Sequence, residues 1–353
     1  MNDNRNLKIY KQNNKFFYEK NKQQVLNSNH IEKIKKIVIP PAYKNVKIDL
    51  SPTAKIIATG YDDAGRKQYI YSQNHIVQRK FKKYCSLIDF SKGYEKLDAK
   101  INTLLRTNKL DKEVCIALIL KIIQNCYFRI GNQKCLEKYN SFGISTLNPS
   151  QAYINNKKIK FEFVGKKGVL NLCQIENSED YELISTKLRQ LNELNKNKQY
   201  LFIPKNENIS ITSLDVNSWL KNFYKKIKLD PKNISSKTFR TFYANMLFIE
   251  TFLKKYGKLN KQNRNTQDQQ ITKRKKFINE IKKEIAEKLH HTPTVYSKEY
   301  LLKEIPELYI NDPQKFKNKI SSNTNNSKKK YQFILQNFLQ SYCKDDKTQN
   351  TKN

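Results

Sequence analysis

The sequence lacks a long hydrophobic run and an apolar leader segment. The longest apolar run, from Val114 to Ile123, contains Lys121 and is too short to span a bilayer. The first residues, Met1-Asn-Asp-Asn-Arg-Asn, carry no apolar stretch of the kind found in signal peptides. We therefore expect a soluble intracellular protein without a membrane partner.

The sequence also lacks paired-cysteine motifs and histidine clusters. No two of its six cysteines form a C-x-x-C pair, so a zinc site is not expected, and no other metal ligand set stands out. Several cysteines lie in apolar runs and are interpreted as small buried hydrophobic residues in a reducing compartment. The six are Cys85, Cys115, Cys126, Cys135, Cys173 and Cys343.

Acidic residues are few. The chain has 68 lysines and arginines against 32 acidic residues, a formal net charge of +36. Such a charge implies an anionic partner, and nucleic acid is the first candidate because cationic side chains release counterions from phosphates. An AT-rich genome is an alternative explanation of the excess of lysine over arginine, but it explains the total imbalance less well.

The hydrophobic patterns predict an α+β protein with a small N-terminal β-rich domain, residues 1–78. Short strands are expected near residues 8–11 and 15–18, and a helix over 30–37 that stops before Pro40. Residues 55–59 and 68–71 flank a turn containing glycine and aspartate, which is typical of a β-hairpin. A basic helix over 75–84 leads into the next region.

A larger, mainly α-helical domain is predicted over residues 79–316. Its expected helices include 111–128, capped by Asp111, and 181–195, 213–228, 236–256 and 270–290, with a polar loop near 260–268. A hairpin over 158–173 turns at residues 165–168. Residues 317–353 are interpreted as a linker, an amphipathic helix over 331–342 and a tail without structure from Lys344.

The most informative segment is His291-Thr-Pro-Thr-Val-Tyr-Ser-Lys-Glu-Tyr300. In one continuous helix, nine residues at about 3.6 per turn would place His291 and Tyr300 on opposite faces. Pro293 disfavours a helix interior but suits a first helical position. We therefore predict a helix end near His290 and a new helix starting at Pro293 with Thr292 as N-cap. This break would let both side chains reach one reaction centre.

Five residues together have the chemistry of phosphoryl transfer. A tyrosine can attack a phosphodiester, and nearby cations favour its phenolate. Arginines and a histidine can bind the non-bridging oxygens, and a lysine on a tight turn can protonate the leaving oxygen. The candidates are Arg129, Lys166, Arg240, His291 and Tyr300.

Each candidate has an ordinary structural explanation. Arg129 with Gly131 could mark a helix C-terminus, Lys166 could be an exposed turn lysine, and Arg240 could be a charge on a helix face. The segment His291-Thr-Pro could be only a helix break, and Tyr300 is one of 21 tyrosines. The occurrence of all five, in one order and in matching local contexts, favours the functional interpretation.

The order and contexts resemble the type IB DNA topoisomerases, especially the compact poxvirus-like and bacterial group. The resemblance covers about residues 8–316. Besides the segment ending at Tyr300, it rests on Arg129-Ile-Gly-Asn, Phe142-Gly-Ile-Ser-Thr-Leu147, Phe161-Glu-Phe-Val-Gly-Lys166, Lys237-Thr-Phe-Arg-Thr241 and Gly60-Tyr-Asp-Asp-Ala-Gly-Arg-Lys-Gln-Tyr-Ile-Tyr71. It implies relaxation of supercoiled duplex DNA through a 3′-phosphotyrosyl link, strand rotation and religation, without a metal, ATP or other cofactor.

By the same resemblance, Tyr300 attacks while Arg129, Lys166, Arg240 and His291 assist. DNA-contacting residues are expected in the N-terminal hairpin and beside Arg240; they are Arg66, Lys67, Gln68, Tyr69, Tyr71 and Lys237. Arg66 and Gln68 suit base edges in a major groove, and Tyr69 and Tyr71 share one strand face. That face could instead be core. Asn132 and Cys135 depart from the poxvirus pattern, where a lysine and a tyrosine are expected on DNA.

Two alternatives remain at this point. Tyrosine recombinases share the catalytic fold, but they usually carry histidine where this chain has Lys237, and they are expected to begin with a helical DNA-binding domain. A non-catalytic DNA-packaging protein with a decayed enzyme fold is disfavoured by the intact set of five. The favoured expectation is a monomeric, C-shaped clamp on double-stranded DNA, located in a virion or viral factory if the source is a large DNA virus.

Overall fold

The chain divides into two compact units, Met1–Lys82 and Lys83–Asn353, in a computed structural model. The structure describes residues 8–176, 178–259, 267–321 and 327–350. Among these residues, no helix combines the length and apolar character needed to cross a bilayer.

The first unit is a five-stranded antiparallel sheet with one helix. Its strands are β1 (Lys8–Gln12), β2 (Lys15–Tyr18), β3 (Lys44–Asp49), β4 (Ile56–Tyr61) and β5 (Lys67–Tyr71), and its helix is α1 (Ser28–Lys35). The sheet order is β2-β1-β3-β4-β5, so most neighbours in space are neighbours in sequence. The β4–β5 hairpin is the one predicted from the turn residues, with Thr59 opposite Tyr69 and Gly60 opposite Gln68.

Helix α2 (Gln73–Leu105) is much longer than the basic helix predicted over 75–84. The expected domain boundary after residue 78 lies inside this helix, and so does the division at Lys82. From Tyr84 onward it buries Leu87, Phe90, Leu97 and Ile101 in the core of the second unit. An apolar stripe that begins only after residue 83 explains why the sequence pattern hid the full length of the helix.

The second unit is mainly helical around one large core, as predicted. The elements after α2 are α3 (Lys112–Cys126), α4 (Gln133–Tyr139), β6 (Ala152–Ile154), β7 (Lys158–Val164), β8 (Leu170–Glu176), α5 (Glu179–Asn195), α6 (Ser213–Lys226), α7 (Ser236–Leu259), α8 (Gln267–Lys288), α9 (Pro293–Glu299), α10 (Glu304–Asn311), α11 (Pro313–Ile320) and α12 (Ser327–Asn350). Helix α3 begins at its predicted cap, where the Asp111 carboxylate accepts a hydrogen bond from the Val114 amide. Strands β6, β7 and β8 form a small antiparallel sheet.

The C-terminal helix α12 belongs to the same core as the other helices. Ile334, Leu335, Phe338 and Leu339 are buried there. The expectation of a tail without structure from Lys344 is wrong, because the helix continues to Asn350. Most of the predicted linker, residues 322–326, and most of the predicted polar loop, residues 260–266, lie outside the described residues.

Two disulfides correct the interpretation of the cysteines. Cys85 bonds to Cys343, joining α2 to α12, and Cys126 bonds to Cys173, joining the end of α3 to β8. Cys115 is a buried free thiol, as expected, and Cys135 is an exposed one. The bonded partners are 258 and 47 residues apart in sequence, so no local spacing motif could reveal that they meet.

Candidate active site

Arg129 lies in an extended segment directly after α3. The helix ends at Tyr127, which takes a left-handed conformation with φ 56°. The interpretation of Gly131 as a helix-closing glycine is therefore wrong. The Arg129 carbonyl instead accepts a hydrogen bond of 2.9 Å from the Ile144 amide, and the Ile130 carbonyl accepts one of 2.7 Å from Ser145. Two backbone segments thus fix the position of Arg129.

A contact between two glycines makes this pairing possible. A Cβ added to Gly143 would lie 2.4 Å from the Gly131 Cα, closer than real Cβ contacts occur. Gly131 also has φ +95°, which disfavours any residue with a side chain. The Gly143 amide is bound by the Thr146 hydroxyl at 2.9 Å. The segment around Arg129 and residues 142–147 belong to separate sequence motifs, and they therefore form one structural unit in the fold.

Arg240 lies on the second turn of α7 and is 3% exposed. Its guanidinium donates hydrogen bonds to the carbonyls of Tyr127 and Leu289, at the ends of α3 and α8. Both carbonyls carry the negative partial charge of a helix C-terminus, which offsets part of the cost of burying the cation. The explanation of Arg240 as a charge on an exposed helix face does not fit this burial.

His291 lies at the break that the sequence predicts. Helix α8 ends at Lys288, His290 takes a left-handed conformation with φ 53°, and α9 starts at Pro293 with Thr292 as its N-cap. The His291 Nδ1 is 3.2 Å from Arg129 Nη2, and its Nε2 is 2.6 Å from Arg240 Nη2. The imidazole therefore lies between the two guanidiniums.

Tyr300 is the residue that ends α9, and its ring lies against that of His291. The two ring centroids are 4.6 Å apart, and the Arg240 guanidinium carbon is 5.7 Å from the Tyr300 ring centroid. The buried Asn245 amide donates to the Tyr300 carbonyl at 2.9 Å and accepts from the Leu302 amide at 2.8 Å. The Tyr84 hydroxyl donates to the Leu301 carbonyl. The backbone on both sides of Tyr300 is thus held by side chains.

Burial and the two arginines determine the charge state of the site. Burial first, then the charges of Arg240 and Arg129, lower the pKa of His291 to about 3. Burial and the charge of Arg129 lower the pKa of Arg240 to about 10, against an opposite influence of Tyr300. At neutral pH the site without DNA therefore contains a neutral imidazole between two cations.

Lys166 lies apart from this hydrogen-bonded group. It sits at the exposed tip of the β7–β8 hairpin, where the Gly165 amide donates to the Val169 carbonyl at 2.8 Å. Its charge also lowers the pKa of His291, though less than the two arginines do. The structure therefore brings Arg129, Arg240, His291 and Tyr300 into contact and leaves Lys166 on a neighbouring turn.

Asn245 is a contributor that the sequence prediction missed. It is completely buried, yet it lies among apolar residues on α7. The sequence indicates this role only by one amide side chain in the run Ala244-Asn-Met-Leu-Phe248, because a buried polar group needs hydrogen-bond partners. The partners themselves, the backbone of Tyr300 and Leu302, could be found only in the fold.

The predicted DNA-contacting hairpin has its own internal network. Asp62 holds Arg66 in an ion pair of 2.7 Å and accepts a hydrogen bond of 2.8 Å from the Gln68 amide. Asp62 also accepts from the Arg66 and Ala64 backbone amides, so it organises the turn. Hydrogen bonds from Arg66 lower the pKa of the Asp62 carboxyl group. In the absence of DNA, one carboxylate therefore binds both candidate base-reading side chains.

Tyr69 and Tyr71 do share one face, as predicted. Their ring centroids are 6.4 Å apart, and the Tyr71 ring stacks on His75 at 5.4 Å. Arg79 and Lys67 lie over these rings. Ile70 points the other way and packs against the core of the first unit. The interpretation of the tyrosine face as core is therefore wrong, since Tyr69 is 47% exposed.

The remaining candidates on the second unit are also accessible. Lys237 is exposed on the first turn of α7, three residues before the buried Arg240. Asn132 and Cys135, where the poxvirus pattern has other residues, are exposed at the start of α4.

Comparison with known proteins decides the family. The model of the eukaryotic DNA topoisomerase I catalytic core matches residues 66–329, and that of the bacterial DNA topoisomerase IB N-terminal domain matches residues 15–62. DNA topoisomerase 1B of Acanthamoeba polyphaga mimivirus is 31% identical over 85% of this chain and 86% of the relative. The chain belongs to the type IB DNA topoisomerases.

Other similarities are weaker. DNA topoisomerase 1B of Vaccinia virus (strain Copenhagen) is 23% identical over 72% of each chain. The solved structure of XerH site-specific recombinase bound to palindromic difH substrate has a TM-score of 0.35 and 13% identity, and the match covers 60% of this chain and 49% of that one. Family membership assigns the chain the function of a DNA topoisomerase with DNA as its partner.

Proposed function

We propose that Tyr300 is the nucleophile and that Arg129, Arg240 and His291 bind the scissile phosphate. The Tyr300 hydroxyl oxygen bonds to phosphorus, the bond to the 5′-oxygen breaks, and the phenolic proton is released. The products are a 3′-phosphotyrosyl enzyme and a strand with a free 5′-hydroxyl. Rotation of the duplex relaxes supercoils, and attack by the 5′-hydroxyl reverses the reaction.

The observation that supports this most is the arrangement around His291. A neutral imidazole has only one acceptor nitrogen, so it cannot accept hydrogen bonds from two arginines at once. Arg129 and Arg240 nevertheless face both ring nitrogens. In addition, Arg240 Nε is buried without a hydrogen-bond partner among the described residues. Around His291 there are thus more hydrogen-bond donors than acceptors. The oxygens of a bound phosphate would accept the remaining hydrogen bonds.

We assign Lys166 the role of general acid for the 5′-oxygen. A leaving alkoxide needs a proton, and proton transfer by a positioned side chain typically contributes about 10²–10⁴-fold. Lys166 is exposed on a tight turn and contributes to the electrostatics of His291. Arg129 and Arg240 suit the phosphate contacts better, because arginine remains charged and forms bidentate contacts.

The N-terminal hairpin is proposed to contact the duplex in a major groove. A two-stranded ribbon fits that groove, and Arg66 and Gln68 have the donors to contact base edges once Asp62 releases them. Lys67, Tyr69 and Tyr71 form the adjoining cationic and aromatic face, and Lys237 would bind a backbone phosphate. We further propose two domains that clamp DNA, a monomeric enzyme, and an intracellular location in a virion or viral factory, in keeping with the viral relatives.

Supercoil relaxation by purified Tyr300→Phe protein tests the central assignment. The wild type should relax a plasmid without paired recombination sites, in EDTA and without ATP, and should form a covalent protein–DNA adduct. Tyr300→Phe should bind DNA but show neither activity. Tyr153→Phe is the matched control, because Tyr153 is 64% exposed on β6. Relaxation by Tyr300→Phe would overturn the assignment, and a requirement for paired sites would favour a recombinase.

A further inference from the structure

A groove of about 840 Å³ runs between α8 and α9, outside the phosphate-binding group. Thr272 and Asn279 on α8 and Thr294 and Ser297 on α9 contribute polar neutral side chains to it. Six lysines also line it: Lys275, Lys276, Lys282, Lys283, Lys298 and Lys303. The groove is thus polar and strongly cationic.

Among the described residues, these lysines form no close ion pairs with acidic side chains. Glu280 is the acidic member of the lining, yet none of the six lysines forms an ion pair within 4.0 Å with a side chain that the structure describes. Glu284, on the same helix, binds Lys255 and Lys288 instead, neither of which lines the groove. Six lysines and one glutamate therefore face the same space, which leaves an excess of positive charge there.

One of the six charges is partly removed from water. Lys282 is half-buried, and burial lowers its pKa. The charge of Glu307 opposes this shift in pKa, and the neighbouring Lys303 adds to the shift with a smaller effect than that of Glu307. A half-buried ammonium without a close ion-pair partner is unfavourable. An anion in the groove would supply Lys282 with a close counter-charge.

The position of the groove indicates which anion it fits. Helix α9 ends at Tyr300, and its residues Thr294, Ser297 and Lys298 line the groove while Tyr296 points into the core. At 1.5 Å per residue this seven-residue helix is about 10 Å long. Duplex DNA carries about one charge per 1.7 Å of its axis, so a duplex held at Tyr300 has further phosphates within that distance.

We propose that the α8–α9 groove is a binding site for the phosphate backbone of the duplex beside the cleaved phosphodiester. This inference rests on the proposed role of Tyr300 and extends it to the flanking DNA. Lysines bind phosphates as point charges without reading bases, so the contact is independent of sequence. The groove would hold the duplex on one side of the break.

The experiment measures DNA binding in the Tyr300→Phe background, so cleavage cannot affect the result. Dissociation constants are determined for short duplexes lengthened stepwise on one side and then on the other, at several salt concentrations. The groove variant combines Lys275→Gln, Lys276→Gln, Lys283→Gln and Lys298→Gln. The control variant removes the same number of exposed lysines elsewhere and combines Lys221→Gln, Lys225→Gln, Lys315→Gln and Lys317→Gln.

We expect lengthening on one side to strengthen binding by the control but not by the groove variant. The log–log slope of affinity against salt should also fall by about one unit for each phosphate that the variant no longer binds. Unchanged slopes, or equal decreases in both variants, would overturn the proposal. So would impaired binding to polyglutamate with unchanged DNA binding, because the groove would then fit an acidic protein. If the groove variant does not fold, the same measurements are made on the double variant Lys275→Gln, Lys276→Gln.

Relaxation by the Tyr300→Phe protein would instead refute the proposed nucleophile, so the two failures are distinguishable.

Discussion

The N-terminal hairpin and the site around His291 hold their cationic side chains in opposite ways. In the hairpin, Arg66 is exposed and is held by the carboxylate side chain of Asp62. In the second unit, Arg240 is buried and is held by two backbone carbonyls. A carboxylate can release its partner to DNA, whereas carbonyls at helix ends cannot move without unfolding. The first arrangement suits adaptable binding, and the second suits a fixed reaction geometry.

The two cores support the same contrast. Among described residues, the sheet of the first unit buries a small cluster that includes Ile9, Val46 and Ile48. The second unit buries long helices, including most of α3, around the ends that carry Arg129 and His291. Positions set by a large close-packed core change little on binding. We therefore expect substitutions in the two regions to affect different measurements.

Lys166→Ala should have the largest effect. It tests the contrast between exposed binding residues and fixed catalytic residues, because Lys166 is exposed yet assigned to catalysis. Cleavage at an ordinary 5′-oxygen should slow by about 10²–10⁴-fold, since the leaving alkoxide loses its acid. Single-turnover cleavage checks this, with the neighbouring Lys167→Ala as control. A bridging sulfur leaves without protonation, so it should largely restore the rate. Equal losses on both substrates would contradict the acid role.

Gly143→Ala should have the next largest effect. It tests whether cleavage depends on the fixed backbone position beside Arg129. The added Cβ meets Gly131, so we expect a loss of about 1–3 kcal/mol in unfolding free energy from overpacking. Cleavage at saturating enzyme should fall as well, because Arg129 shifts. Thermal melts and single-turnover rates check both.

Gly65→Ala, in the turn between β4 and β5, is the matched glycine substitution in the first unit. Its Cβ meets nothing within 4 Å, but φ +69° costs about 1–2 kcal/mol. Stability should again decrease, while the cleavage rate at saturation remains that of the wild type. Equal decreases in the cleavage rate of Gly143→Ala and Gly65→Ala would show that the reaction geometry does not depend more on the second unit than on the hairpin.

Asp62→Asn should have the smallest effect. Ion pairs at the protein surface contribute little to stability, and removal of a negative charge near DNA favours binding, so affinity should rise by no more than about fivefold. Fluorescence anisotropy at several salt concentrations measures this, with the adjacent Asp63→Asn as control. A large decrease in affinity would instead show that Asp62 positions Arg66 and Gln68 for DNA.

Local patterns predicted most elements of the fold. The N-cap at Asp111, the hairpin carrying Lys166 and the break before Pro293 follow from the preferences of a few adjacent residues. The full length of α2 was not predictable in this way, since its first part is basic and its buried residues begin only at Tyr84. The burial of α12 depends on a partner surface far away in sequence.

The sequence alone determined the order of the five candidate residues and the local turns that present them, because turns and caps depend on neighbouring residues. The tertiary structure decided which groups meet. It joined Cys126 to Cys173, placed Asn245 on the backbone of Tyr300, and buried Arg240 between the ends of two helices. Those contacts join residues 47 to 113 positions apart in sequence, and only the packing of a common core brings them together.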